Sequence, residues 1–425
     1  MKREKVSKEI GDRRSIKLIL TILISTVILC AGGIAAFILC RGDEKKELPT
    51  FNISLKDITL EDFQKGGKKT KYPGNEIEVV DDGESINYQD VEVRGRGNST
   101  WGLPKPPFQI KFNDTIDFFG LGGAKKWVLL ANYIDSSNLR NDIAFKLADM
   151  LGEKYATRGE FVKVNVDGEY LGIYYLTHKM ETKKGSVNLK DNYGVLMEID
   201  NLHRDTEDCI DTSYGTCMTI KDTVADEDEE TEIRDEAVAA FMKQYNQYEE
   251  AVRAKDYKAL TELIDIESFA EYFLVSEFSV NPDAYSSSVY FYKDGLDDKI
   301  HAGPIWDYDY AFSNRKWVWK TDDSVFSPYN TTAFRSAADQ NTTMEYYYML
   351  DMPEFTNEVK RVYQEKLSGK SKEFLSWLKG RAELIKEETL ADAERWDFDD
   401  TMEDTEYLID WVRRRYDYFE WTYGK

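Results

Sequence analysis

The chain has 425 residues, enough for one large domain or two, and its 42% hydrophobic and 13% aromatic content is ample for a packed core. The formal net charge is −23; residues 1–41 carry eight Lys/Arg against three Asp/Glu, which leaves −28 on the remainder. A body that acidic repels nucleic-acid phosphates and makes DNA or RNA a poor expectation as partner, favouring a basic protein or peptide instead.

In chain order, residues 1–17 read as a basic cytoplasmic tail. Residues 18–40 (Leu18 to Cys40) contain no charge and are long enough to cross a bilayer as one helix. The basic flank stays on the cytoplasmic side, so the bulk of the chain is expected outside a membrane that it spans once. The competing reading is a signal peptide cleaved after Gly33-Ile-Ala35, which would release a secreted protein. Residues 41–75 read as a juxtamembrane linker, followed by one domain over 76–425.

Within that domain, Glu76–Val80 and Val91–Arg94 read as strands around an Asp81-Asp-Gly83 turn, and Trp127–Leu130 as a short buried strand. Asp135 or Ser136 caps a helix over Leu139–Leu151 that stops at Gly152. Phe161–Val166, Asp167-Gly168 and Tyr170–Leu176 spell a hairpin, and Gly194–Asp200 a further strand. Of the four cysteines, Cys30 and Cys40 lie in the apolar segment; Cys209 and Cys217 are free to close a small disulfide loop outside the cytosol. The acidic run 226–230 lacks the alternating ligands and central glycine of a calcium loop. Helical periodicity follows at 233–254, 266–279, 354–390 and 402–420. Strands first and helices second make the expected class α+β, with a strand-rich N-lobe over about 76–205 and a helical C-lobe over about 230–425.

The chemistry concentrates near residue 300. Gly303-Pro-Ile-Trp-Asp-Tyr-Asp-Tyr310 sets Asp307 and Asp309 two residues apart, and on an extended segment both would face one side. Carboxylates that close repel unless a cation separates them, and Mg²⁺ takes such oxygens alongside phosphate. Upstream stand Asn281-Pro-Asp283 and the aromatic strand Val289–Tyr292. A loop aspartate, a strand, a turn and a metal-type aspartate is the order in which phosphoryl-transfer enzymes set out base and metal ligand. A glycosidase pair is a poorer reading, because adjacent carboxylates on one face do not flank a sugar ring at the roughly 5 Å or more required. For the phosphates, Arg94-Gly-Arg96-Gly-Asn-Ser offers two guanidinium groups on a flexible loop. Lys105 and Lys111 are both candidates for a phosphate-contacting lysine. Lys111 is the better placed, since it alternates with Ile110 and Phe112 on a strand. Glu198 and Asp200 share a strand face and are candidates to pair with a lysine or reach a nucleotide.

Taken together, Arg94–Trp101, Pro104-Lys105, Ile110–Phe112, Asp135 to Asn141, Asn165–Tyr174, Gly194–Asp200, Asn281–Tyr292 and Gly303–Asn314 resemble the CotH-type atypical protein kinases over roughly residues 75–420. The resemblance implies a two-lobed, protein-kinase-like fold that phosphorylates proteins on Ser or Thr using ATP and Mg²⁺ or Mn²⁺. By the same resemblance Asp283 orients the attacking hydroxyl, Asp307 holds the metal and Asp309 is a second or outer ligand. Arg94, Arg96, Lys105 or Lys111, and Glu198 become the nucleotide-binding set. Two departures keep a catalytically weak pseudokinase open as the alternative. Ser288 stands where kinases place a second metal-binding asparagine, and His178 follows Thr177 where the family has a glutamate, with Glu181 one turn further on as a substitute. In that alternative the fold serves as a surface binding module, and Trp317, Trp319 and Tyr329 are candidate contacts.

Overall fold

The computed structural model describes residues 47–201, 209–225, 230–314, 328, 348–398 and 401–424. The expected membrane helix over 18–40, residues 226–229 of the acidic run, and Trp317, Trp319 and Tyr329 lie outside the described residues. No described helix is long and apolar enough to cross a membrane.

The architecture is α+β. Strands β1 (Thr50–Ser54), β2 (Lys71–Asp81), β3 (Glu84–Gly95), β4 (Phe108–Ile116), β5 (Ala124–Leu130), β6 (Gly159–Val166) and β7 (Glu169–His178) form a closed barrel in the order β1-β2-β3-β4-β5-β7-β6. The β2–β3 hairpin turns at Asp82 and Gly83 (φ 47° and 79°), and β6–β7 at Asp167 and Gly168 (φ 52° and 82°). Two consecutive positive-φ residues make the turn whose twist matches the flanking strands, which is why Asp-Gly occupies both sites. Inward residues such as Phe51, Ile77, Val93, Ile110, Leu129 and Tyr174 fill the barrel. Helix α1 (Leu60–Lys65) adds Phe63 to that core. Helix α2 (Arg140–Leu151) starts where the Asp135 carboxylate accepts the Arg140 backbone N–H at 2.8 Å, and it ends at Gly152 with φ 90°.

A second, antiparallel sheet runs β12-β11-β8-β10-β9, from β8 (Gly194–Asp200), β9 (Ile210–Asp211), β10 (Cys217–Thr223), β11 (Ser287–Asp294) and β12 (His301–Ala302). It packs with α3 (Thr231–Ala254), α4 (Tyr257–Leu263), α5 (Ile266–Ser279), α6 (Pro353–Lys366), α7 (Ser371–Trp396) and α8 (Thr401–Tyr423) around a separate hydrophobic core. Cys209 and Cys217 are joined as a disulfide at the base of the β9–β10 hairpin.

Three expectations change. The segment 41–75 is no linker throughout: it contains β1 and α1, and the compact unit begins at Leu48 because β1 pairs with β2 and β6 and so closes the barrel. The periodicity over 354–390 breaks into α6 and α7 around Gly369, whose φ is 75°. The division between lobes does not fall cleanly between 205 and 230, since β11 from the helical half pairs with β8 from the strand-rich half.

Candidate active site

A cleft of about 240 Å³ is walled by the β3–β4 loop, β8, β10, β11 and the segment before Asp307. Arg94, Arg96, Glu198, Asp200, Ser288 and Asp307 all line it. The β3–β4 loop needs its glycines: a Cβ on Gly95 would lie 2.2 Å from the Trp101 ring, and Gly97 has φ 83°. Arg94, at the end of β3, donates to Gln109 Oε1 at 2.7 Å. Arg96 has no hydrogen bond or ion pair among the described residues; its guanidinium lies 5.5 Å from the Trp306 ring centroid. Burial pushes the Arg96 pKa down, opposed first by the field of Asp307. A desolvated guanidinium facing a cleft without a bonded partner is suited to an incoming anion.

Two β-bulges aim side chains here. The β8–β10 register shifts between Ile220 and Asp222, and the β8–β11 register between Ser287 and Val289. Each bulge takes one residue, Lys221 or Ser288, out of the ladder, and both line the cleft. Lys221 Nζ pairs with Glu198 Oε2 at 2.8 Å and lies over the Tyr290 ring. Burial alone would lower the Lys221 pKa, but Glu198 and Tyr290 outweigh it and hold the ammonium charged. Ser288, at φ 55°, donates its hydroxyl to Asp307 Oδ2 at 3.1 Å.

Asp307 and Asp309 do not lie on an extended strand, contrary to expectation. Residues 303–308 have no regular secondary structure, and Asp307 itself is left-handed at φ 68°. That kink breaks the two-residue alternation, so Asp307 reaches the cleft while Asp309 is buried. Burial, then the charges of Asp307, Asp283 and Asp135, push the Asp309 carboxyl well above the usual carboxylate range. Asp283 sits between α5 and β11 in a turn where its N–H donates to Asn281 Oδ1 at 3.1 Å. The segment is held from α2 and the turn after it. Asn141 Oδ1 accepts the Tyr308 N–H at 2.8 Å, Arg140 Nε donates to Ala311 O at 3.1 Å, and Glu153 Oε1 accepts the Ile305 N–H at 3.0 Å. Arg140 is fully buried between Asp135 and Asp404, which makes it a positioning residue.

Both sequence-predicted lysines are elsewhere. Lys105 is fully buried, bonded to Ile173 O and Asp392 Oδ1 at 2.6 Å each, where the alternative to pairing would be an uncompensated charge. Lys111 is on the solvent face of β4, as the inward packing of Ile110 and Phe112 requires. The lysines at the cleft are Lys68, Lys69, Lys179 and Lys221. Lys179 pairs with Glu181, which also bonds Lys126, so Glu181 does hold a cleft lysine. His178 is a packing residue: it lies 4.2 Å from the Trp127 ring centroid and bonds Gly122 O at 2.8 Å. Lys221 was detectable only in part, since the alternation of Cys217–Thr223 marks a strand but not its bulge.

A divalent cation fits this chemistry in a limited sense. Among the described residues no three His, Cys, Asp or Glu side chains converge closely enough to cage an ion. Mg²⁺ bound with phosphate needs only one or two protein carboxylates, and Asp307, which lines the cleft with the Asp309 carboxyl close enough to feel its charge, can supply them.

A model of the CotH kinase protein family matches residues 93–419. The chain belongs to the CotH kinase family. The match covers the β3–β4 loop and Asp307 of this cleft, together with Asp283 and Asp309, which do not line it; Lys68 and Lys69 of the lining lie upstream of the match. No curated protein matches. Among solved structures, the Helicobacter pylori proinflammatory kinase CtkA is similar over 73% of this chain and 94% of that one, at 10% identity and a TM-score of 0.27. A likeness that low assigns no residue of the CotH-family chain a role.

Proposed function

We propose that this CotH-family chain is a membrane-anchored protein kinase that acts outside the cytoplasm. It transfers the γ-phosphoryl group of ATP, with Mg²⁺ or Mn²⁺, to Ser or Thr hydroxyls of surface or secreted proteins. The observation that carries the reading is the half-buried Arg96, without a hydrogen bond or ion pair among the described residues, beside Asp307 in a cleft that also holds Arg94 and the Lys221–Glu198 pair. In a molecule of net charge −23, such a concentration of cations serves an anion. Phosphoryl transfer asks mainly for positioning and charge neutralisation.

In this reading Arg94 and Arg96 hold phosphate oxygens, and Lys221, kept charged and oriented by Glu198, takes the role first sought in Lys105 or Lys111. Asp307, with Asp309 behind it, holds the metal, which when bound neutralises charge on the phosphates. Asp283 accepts the proton of the attacking hydroxyl and orients its oxygen. The Cys209–Cys217 disulfide supports an oxidising compartment. The apolar segment 18–40 supports a single-pass anchor with the N-terminus cytoplasmic; cleavage would instead give a secreted enzyme. The acidic body favours a basic substrate.

The test is phosphate transfer from labelled ATP by the full chain in detergent, with Mg²⁺ or Mn²⁺. Asp307→Asn and Asp283→Asn are expected to lower kcat by about 100-fold or more. Metal-independent labelling, or labelling that survives both substitutions, sinks the assignment. One observation favours a second reading, a pseudokinase that binds without transferring: the Ser288 hydroxyl occupies Asp307 where a second metal-ligating oxygen is expected. ATP binding without transfer in the unsubstituted chain would select it.

A further inference from the structure

The matched family region begins at residue 93, yet one wall of the cleft comes from upstream. The turn between α1 and β2 places Lys68 and Lys69 at the same cleft as Arg94 and Arg96. It is anchored on both sides. The Thr59 hydroxyl and the Asp62 carboxylate cap α1 reciprocally, and Phe63 is sunk in the barrel core, its ring 5.2 Å from Phe108 and 5.5 Å from both Tyr72 and Trp101. On the other side the Thr70 N–H donates to Gly67 O at 3.1 Å as the chain enters β2. Lys68 Nζ donates to the Asn98 side chain, tying the turn to the β3–β4 loop.

The cations of this cleft divide into two groups. Lys221 and Lys179 each have a carboxylate partner, Glu198 and Glu181. Lys68, Lys69, Arg94 and Arg96 form no ion pair among the described residues, and Lys69 has no hydrogen bond there either. Four cations that share one cleft without an ion pair there repel one another, even with Asp307 beside Arg96, and a multiply charged anion lying between them relieves that repulsion.

We propose that Lys68 and Lys69 are binding residues for the terminal phosphates of a nucleoside triphosphate, and that the Gly66–Thr70 turn is a strap over those phosphates supplied from outside the family domain. The inference rests on the nucleotide reading of the cleft, and its ligand class is a polyphosphate. Arg94 and Arg96 hold the anion from the loop; the strap holds it from the opposite chain segment.

Isothermal titration of the full chain in detergent with ATP, AMP and inorganic tripolyphosphate tests this, beside Lys69→Gln and Lys68→Gln/Lys69→Gln. Two lost charge-assisted contacts are expected to raise the Kd for ATP and for tripolyphosphate about tenfold, with AMP changed by less than about twofold. Lys69→Gln, which loses no hydrogen bond or ion pair among the described residues, should show part of the effect at an unchanged melting temperature. Unchanged ATP and tripolyphosphate affinity, or equal weakening of AMP, overturns the strap. Lysine-dependent tripolyphosphate binding without ATP binding keeps the strap and removes the nucleotide reading. Failure of the unsubstituted chain to bind either anion removes both.

Discussion

At the scale of single residues, the site depends on positions whose backbone is unusual for their type. Ser288 and Asp307 both adopt positive φ, where a side chain other than glycine costs energy unless the surroundings hold it. What holds Asp307 is a set of bonds to the flanking chain, and Glu153 is among them. The Glu153 carboxyl is pushed up to about 8 by burial, with a further contribution from the neighbouring Glu271 charge. Its ordinary value of 4.5 applies in the unfolded chain, so the folded state binds this proton more tightly. Between pH 4.5 and about 8 the unfolded chain ionises while the folded one does not, and stability falls as pH rises through that window. Glu153→Gln keeps an acceptor for the Ile305 N–H and removes the charge. Because the side chain is partly open to solvent, its gain should be about 1–2 kcal/mol at pH 8.5, vanishing near pH 4.5. Thermal melts of the two proteins at both pH values check this; a gain independent of pH would contradict it.

At the scale of elements, the strand-rich and helical parts are joined by buried ion pairs. Lys105, in the β3–β4 connection, reaches Asp392 on α7, and Asp392 Oδ1 also accepts the Ile173 N–H of β7 at 3.2 Å. Gly172 permits that approach: a Cβ there would sit 1.8 Å from Asp392 Oδ1, and its φ is 113°. Arg140 plays the same part between the start of α2 and Asp404 on α8, while Arg415 on α8 donates to Glu277 O and Phe278 O at the end of α5. Lys105→Met strands a buried carboxylate and should cost about 3–5 kcal/mol. Urea titration measures this loss. ATP affinity of the folded protein should stay within about twofold, because Lys105 does not reach the cleft. A large loss of affinity at unchanged stability would return Lys105 to the phosphate site.

At the scale of the whole molecule, closure of the barrel sets where the domain begins. β1 pairs antiparallel with β2 and parallel with β6, and it brings Phe51 and Ile53 into the core, with Phe63 following on α1. Burying three such side chains is worth about 5–9 kcal/mol, comparable to the whole stability of a typical domain. A fragment starting at residue 76 also leaves two open strand edges. It should show no cooperative melt, whereas 48–425 should melt in one transition. Circular dichroism of the two fragments decides it, and equal stability would mean that β1 is dispensable.

The local elements were legible in the residues because local chemistry dictates them. Asp-Gly pairs marked both hairpin turns, Gly152 marked the end of α2, and alternation in Ile110–Phe112 marked a strand with Lys111 facing out. The motifs of Arg94–Trp101, Asp283 and Asp307–Asp309 were enough to indicate the family. What the sequence could not determine was the partner of each charge. Lys105 and Lys221 are both lysines near apolar residues; one is paired with Asp392, 287 positions away, and the other reaches the cleft through a β-bulge. The kink at Asp307 and the bulge at Ser288 depend likewise on bonds from Glu153, Asn141 and β8. Lys68 and Lys69 looked like linker charges until barrel closure brought their turn over the cleft. Periodicity and turn residues act over a few positions, so they survive in one dimension. Ion pairing, register shifts and the walls of a cleft depend on distances that exist only after the chain has folded.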